Sequence, residues 1–320
     1  MNKSEAIFKS KKALPFLTMI SVLAWAAAFP FIKLGMAAFA ISSADTASET
    51  FFAGIRFSAA GLIVILFAAI NGCSFKLSFK DFLWVLSYAV LNTTMQYFFF
   101  YVGLSHSPGS RASILNSIGT FMLVLISCLF FKDERLTLKR VIGCIVGFSG
   151  LVLLNIGADS SGAFTFIGDG MIILSATCSA FGGILTRVAG QRISIPVLTG
   201  LGLLIGGAVL TVGGYFAGGR IETVTSSGII DLAVLILSSA VGFSIYNKLL
   251  LYHPVGQVAI YNSLIPVFGI ILSCLMLGEP FLPKYIVAAV LVAAGVFTIN
   301  FVKNKPNAAQ TELKESQPRS

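Results

Sequence analysis

A chain of 320 residues with 56% hydrophobic and only 11% charged residues, and a mean hydropathy of +0.91, is too apolar for water. A soluble domain carries about 25% charged residues. The net charge of +9 does not indicate nucleic acid, because Lys and Arg fall in short gaps between long apolar runs, where they act as topology signals. The five cysteines (Cys73, Cys128, Cys144, Cys178 and Cys274) include no CxxC pair, so neither a disulfide framework nor a metal site is expected.

Lys9, Lys11 and Lys12 precede the first apolar run, which extends from Leu14 to Ile32. A secretory signal has an apolar region of about 7–15 residues. This run is longer, and despite the Ala38-Phe39-Ala40 sequence behind it, it reads as an uncleaved first span. A span needs about 20 mostly apolar residues. Ten segments qualify in chain order: 14–37, 50–70, 82–104, 110–131, 138–157, 166–186, 196–217, 229–250, 256–277 and 283–302. Residues 1–13 form a short segment before them, and the polar tail 303–320 reads as disordered.

With the N-terminus in the cytoplasm, 17 of the 22 Lys and Arg residues fall in inside segments and three, Arg111, Arg220 and Lys284, fall outside. Lys33 and Arg56 lie within spans. This bias predicts a multi-pass protein of the cell membrane with both termini cytoplasmic.

The chain also repeats itself. Ala112 to Leu129 aligns with Val258 to Leu275 at an offset of 146, with Asn116 on Asn262, Ser117 on Ser263 and Cys128 on Cys274. Further on, Glu134 aligns with Glu279 and Gly150 with Gly295 at an offset of 145. Spans 3–5 thus match spans 8–10. Five is odd, so the second copy enters the membrane upside down. The predicted fold is all-α, ten transmembrane helices in two inverted five-helix repeats, 14–157 and 166–302. Inverted repeats mark secondary transporters, with the substrate near the bilayer midplane between the repeats.

Ala24-Trp25 through Phe29-Pro30-Phe31-Ile32-Lys33-Leu34-Gly35, Gly54-Ile55-Arg56-Phe57, and Asn262 through Pro266 to Leu277-Gly278-Glu279-Pro280 carry a family likeness. In their order and spacing the chain resembles the EamA-type, ten-helix branch of the drug/metabolite transporter superfamily, over residues 14 to 302. The resemblance implies export or exchange of metabolites, often amino acids or related compounds. One departure stands out: Thr120 occupies a fourth-span position where that family often has the proline of a bend.

All 13 Asp and Glu lie in tails, loops or span ends. Intramembrane charges are costly and usually functional, so this absence disfavours cation efflux by a mid-membrane carboxylate switch. No Walker A motif is present to drive transport with ATP. Within the spans, Lys33 and Arg56 are either snorkelling cations or attractors of an anionic substrate. Arg56 lies two helical turns after Glu49. His106 and His253 end spans 3 and 8 as helix-end residues or proton carriers.

Uncharged polar residues are the stronger cavity candidates: Asn92 and Gln96, Asn116 and Thr120, Ser244 and Asn247, and Asn262. Each must be satisfied by another helix or by cavity water. Trp25 and Tyr97, with Phe29, Tyr101, Tyr246 and Tyr261, are candidate aromatic walls. Gly143 with Gly147 and Gly202 with Gly206 fit close helix packing. The expected partners are a small-molecule substrate and the lipid bilayer, with no nucleic acid and no cofactor. A homodimer is left open. The alternatives to a transporter are a channel or a non-transporting scaffold and, behind them, a membrane-embedded enzyme, for which the span centres supply no catalytic set.

Overall fold

The computed structural model describes residues 3–131, 137–155, 164–262 and 264–300. Glu134 and the tail 303–320 lie outside them. The described residues contain no strand. A short helix α1 (Lys3–Lys9) precedes α2 (Leu14–Ala38) and α3 (Thr46–Ile70). Next come α4 (Phe79–Ala89), a π-helical turn (Val90–Met95) and α5 (Gln96–Ser105), then α6 (Gly109–Asn116), α7 (Ile118–Phe130) and α8 (Leu138–Asn155). A second π turn (Phe166–Gly170) leads into α9 (Met171–Ala189), followed by α10 (Ile195–Phe216), α11 (Ser226–Tyr252), α12 (Val255–Asn262), α13 (Leu264–Leu277) and α14 (Pro283–Asn300).

Six helical stretches among the described residues are long and apolar enough to cross a membrane: Leu14–Ala38, Thr46–Ile70, Gly109–Phe130, Phe166–Ala189, Ile195–Phe216 and Ser226–Tyr252. Local chemistry sets their starts. Asp45 caps α3 by accepting from the Ser48 N–H at 3.0 Å. Ser78 and Asp81 form a reciprocal capping box on α4, and Thr225 accepts from the Gly228 N–H at the start of α11. Such caps satisfy the N–H groups that a helix start leaves unpaired. Large apolar side chains such as Leu66, Phe67, Phe148, Val212, Phe216 and Val290 face outward, the arrangement that suits a lipid surround.

Six close pairings organise the bundle. α3 runs along α10 and α8 along α14, α2 lies against α11 and α13, and α9 lies against α5 and α7. Glycines permit the tightest of these. Gly54 and Gly61 on α3 meet the backbone of Thr211 and Leu204, while Gly207 and Gly214 on α10 meet the backbone of Ser58 and Phe51. These glycines recur every seven residues, two turns of a 3.6-residue helix, so they form one stripe per helix. On the second pairing, Gly295 sits against Gly143 and Gly147, and Gly150 against Ala288. Gly202 and Gly206 turn instead to Tyr88 and Thr93, which seats α10 against α4 and the first π turn.

The chain breaks between α6 and α7 although no proline is present. The Ser117 N–H donates to the Ile114 carbonyl and the Thr120 N–H to the Ser117 carbonyl, both at 3.0 Å. These are tightened i→i+3 bonds of the kind that mark a local kink. Pro30 lies inside α2 and Pro266 in the first turn of α13.

Two polar ties join the halves at one end of the bundle. Arg111 on α6 pairs with Asp169 of the second π turn at 2.7 Å, both side chains buried. The Glu279 carboxylate accepts from the Gly109 N–H (2.7 Å), the Ser110 N–H (3.0 Å) and the Ser110 hydroxyl (2.8 Å), an anion seated on the positive end of α6.

The α3–α10 stripe gives a direct test. A Cβ on Gly61 would lie 2.4 Å from the Leu204 nitrogen and one on Gly207 2.4 Å from the Ser58 nitrogen, whereas one on Gly213 meets nothing within 4 Å. Gly61→Ala and Gly207→Ala should each cost about 1–3 kcal/mol through overpacking, seen as a lower Tm of the purified protein. Gly213→Ala should leave Tm unchanged or slightly raised. Equal Tm values for all three would reject the packing.

Candidate functional site

A cavity of about 100 Å³ lies where α2, α3, α5, α6, α7, α9, α11, α12 and α13 converge. Trp25, Arg56, Asn92, Gln96, Tyr97, Asn116, Thr120, Asn247 and Asn262 all line it, so residues scattered over the sequence meet in one place. Ser244 does not: it is half-buried on α11 outside the lining. The pairing of Ser244 with Asn247 on one cavity face is therefore corrected, because only the Asn247 side of the helix turns inward. Lys33 is half-buried, away from the lining and within electrostatic range of Glu279. The two histidines are also remote. His106 is exposed at the end of α5, and His253 is buried after α11 with its Nε2 at 2.7 Å from the Phe8 carbonyl.

Arg56 dominates the electrostatics. Its side chain is 1% exposed. Nε donates to the Ser239 hydroxyl (2.9 Å) and the Leu235 carbonyl (3.2 Å), and Nη1 donates to the Tyr101 hydroxyl (3.1 Å). The guanidinium lies over the Phe57 ring at 4.8 Å and near Tyr97 at 6.0 Å, stabilised by the ring faces. All these partners are neutral. Among the described residues no carboxylate comes within ion-pair range of Arg56 and Nη2 has no acceptor, although a guanidinium carries five N–H donors.

Some cavity amides are held and others are free. Asn92 donates to the Tyr88 hydroxyl at 3.0 Å, and Asn247 donates to the same hydroxyl at 2.8 Å and to Thr199 at 2.9 Å. Asn92 belongs to the π turn, and Gln96, four residues on, lines the same cavity. π turns of this kind are common at functional sites. By contrast, Gln96 Oε1, Asn262 Oδ1 and Trp25 Nε1 are buried without a hydrogen-bond partner among the described residues. Buried polar atoms are normally paired, so two acceptors and one donor stand ready for a ligand or water. Trp25 is held edge-on against Tyr246 (4.8 Å) and Phe243 (5.4 Å).

Several contributors were not singled out from sequence. Phe100, Ser113, Ser179 and Phe243 also line the cavity, and Tyr88, Thr199 and Ser239 orient the polar groups. A lone aromatic or hydroxyl in an apolar run gives no signal of its own. Ser117, also in the lining, had one: it aligns with Ser263 in the repeat.

The fit of Asn92 depends on Gly182, where a Cβ would lie 2.0 Å from the Asn92 Oδ1. Gly182→Ala should destabilise the protein by about 1–3 kcal/mol. Adding Asn92→Ala should restore much of the loss, a non-additive cycle between touching residues. Additive losses in thermal unfolding would show that the two do not share this contact.

Comparison with known proteins agrees with this architecture. Residues 13–156 and 166–301 each match the EamA-like transporter family. The chain is 25% identical to an uncharacterized transporter, YvbV, of Bacillus subtilis, over 96% of this chain and 97% of that one. It is 23% identical to a probable amino-acid metabolite efflux pump of Salmonella typhimurium, over 88% of this chain and 93% of the other. A solved crystal structure at 16% identity shares the fold, with a TM-score of 0.69 over 90% of this chain and 96% of that one. The chain is a multi-pass membrane transport protein and belongs to the EamA-like transporter family.

Proposed function

We propose that this protein is a secondary transporter of small organic metabolites bearing a carboxylate, amino acids or close derivatives, which it exports or exchanges by alternating access around the Arg56 cavity. The observation that carries the reading is a buried cation that has no counter-ion among the described residues and lines a cavity that also holds the Gln96 and Asn262 oxygens and the Trp25 N–H, unpaired among the same residues. A carboxylate would complete the guanidinium through charge-assisted hydrogen bonds. The amide oxygens would accept from an ammonium or hydroxyl of the same molecule, and the aromatic walls would take an apolar side chain. A cavity of about 100 Å³ is below the usual ligand-pocket range of about 300–1,000 Å³. The substrate is accordingly small, or widens the site as it binds. The efflux pump of Salmonella typhimurium named above is in keeping with this class.

The wider architecture in this reading is ten spans in two inverted repeats, 14–157 and 166–302, with both termini cytoplasmic. The pattern of helix neighbours supports it. Exchanging each span with its counterpart five later turns the α2–α11 and α2–α13 contacts into the α9–α5 and α9–α7 contacts, and leaves α3–α10 and α8–α14 unchanged. Asn116 and Asn262 become symmetry mates on opposite walls. The excess of Lys and Arg at the proposed inner ends supports the orientation. At that same end His253 contacts Phe8 and the Tyr252 hydroxyl donates to Glu5 at 2.8 Å.

The test is counterflow in liposomes carrying the purified protein, loaded with amino acids or with their α-hydroxy and α-keto acids. A transporter accumulates labelled substrate against unlabelled substrate, and a channel does not. For an accumulated carboxylate, Arg56→Gln should weaken apparent affinity by about tenfold or more, equivalent to about 1.4 kcal/mol. Arg56→Lys should recover part of it, since an ammonium keeps the charge but lacks the planar fork. Asn116→Ala and Asn262→Ala should alter affinity with near-normal Tm. Unchanged affinity with lowered Tm would assign the two amides to helix packing instead.

A further inference from the structure

Glu49, at the start of α3, has the surroundings of a buried functional acid rather than of a surface one. Its side chain is 0% exposed, and both carboxyl oxygens are buried without a hydrogen-bond partner among the described residues. An ionised carboxylate removed from water without pairing is costly by several kcal/mol. The groups around Glu49 offer it no cation. Asp45 and Ser105 lie within interaction range, as does Tyr101. The Arg220 backbone N–H donates to neighbouring Ser48 at 2.9 Å, but its guanidinium turns back to the carbonyls of Tyr215 and Gly219. Asp231 on α11 stands across Gly35 from Phe52. Arg56 is seven positions further along α3, about 10.5 Å at 1.5 Å per residue.

Ser105 links this acid to water. Its hydroxyl donates to the Val102 carbonyl at 3.0 Å and lies 3.1 Å from the Nδ1 of His106, whose side chain is exposed at the end of α5. The same Nδ1 lies 2.9 Å from the Val102 carbonyl, which can only accept, so the ring carries its proton at Nδ1.

We propose that Glu49 is a proton-binding site, and that Ser105 and His106 carry its proton to and from water at the end of the bundle where α3 begins. On arrival, a proton from water binds Nε2 of the His106 ring, the Nδ1 proton passes to Ser105 Oγ, and the Ser105 hydroxyl proton, turned away from Val102, passes to an ionised Glu49. The ring is left neutral with its proton at Nε2, so charge and protons balance, and departure runs the same steps in reverse. Tyr101 joins this site to the cavity, since its hydroxyl accepts from Arg56 at 3.1 Å. An anion beside Arg56 removes the positive charge that would offset an ionised Glu49. The anion and the proton therefore bind cooperatively, and by reciprocity each raises affinity for the other. This coupling rests on the carboxylate-transport reading; the proton site does not.

Infrared difference spectroscopy of the purified protein in lipid, with no substrate, tests the site independently of transport. At neutral pH the wild type should show a protonated-carboxyl C=O band that shifts in D₂O. Glu49→Gln should abolish it, and Glu49→Asp, which keeps a carboxyl should the glutamine variant fold poorly, should move it. Ser105→Ala and His106→Asn should retain the band and slow its hydrogen–deuterium exchange by about tenfold, a barrier change of about 1.4 kcal/mol. Absence of the band from wild type, or the same band in Glu49→Gln, would overturn the proton site. Unaltered exchange in the Ser105 and His106 variants would overturn the relay.

Discussion

A guanidinium buried in the middle of a lipid-facing bundle is the constraint around which the site is built. Moving a charge out of water costs several kcal/mol even after the protein relaxes. Among the described residues Arg56 is offset by neutral groups alone: the Leu235 carbonyl, the Ser239 and Tyr101 hydroxyls, and the faces of Phe57 and Tyr97. Those partners come from α3, α5 and α11, so keeping Arg56 satisfied fixes three helices relative to one another. The glycine stripe that presses α3 onto α10 holds the helix bearing Arg56 from its other side. Stabilisation by neutral groups alone leaves the positive charge uncancelled. This is the feature on which the proposed binding of an anion rests.

The bundle is polar at both ends and soft between them. One end is closed by the Arg111–Asp169 pair and by Glu279 on the first turn of α6. The other has the contacts of α1 with the end of α11, including Glu5 with Tyr252 and Lys248 over the Phe8 ring. Between them lie aromatic edges and amides. In the proposed alternating access, these end contacts are the ones that would break and re-form. The i→i+3 break at Ser117 lies beside the cavity.

The helices were legible because lipid imposes a length: the expected segments coincide with helical stretches to within a few residues at their described ends, and six stretches among the described residues are long and apolar enough to cross a membrane. The cavity residues were legible for a related reason. An Asn or Gln inside a 20-residue apolar run is costly unless it faces protein or water, so Asn92, Gln96, Asn116, Asn247 and Asn262 announced themselves. The helical phase was not legible. Ser244 is only three residues from Asn247, yet it falls outside the lining, and the π turn at Val90–Met95 follows no simple spacing rule. Glu49 was read as a span-end acid because sequence position gives depth along a helix but not the cover from neighbouring helices. The seven-residue glycine stripe was present in the sequence, but a search for glycines four apart passes over it.

The central claim is that the cavity takes a carboxylate through Arg56. Thermal unfolding of the purified protein with matched pairs of ligands, each an acid and its amide of equal size, measures this without transport. A ligand that binds the folded state raises Tm in proportion to its occupancy. The account predicts that one acid of a pair stabilises the wild type, that its amide does so far less, and that Arg56→Gln removes the difference. Equal stabilisation by acid and amide, or an acid preference that survives in Arg56→Gln, would contradict it.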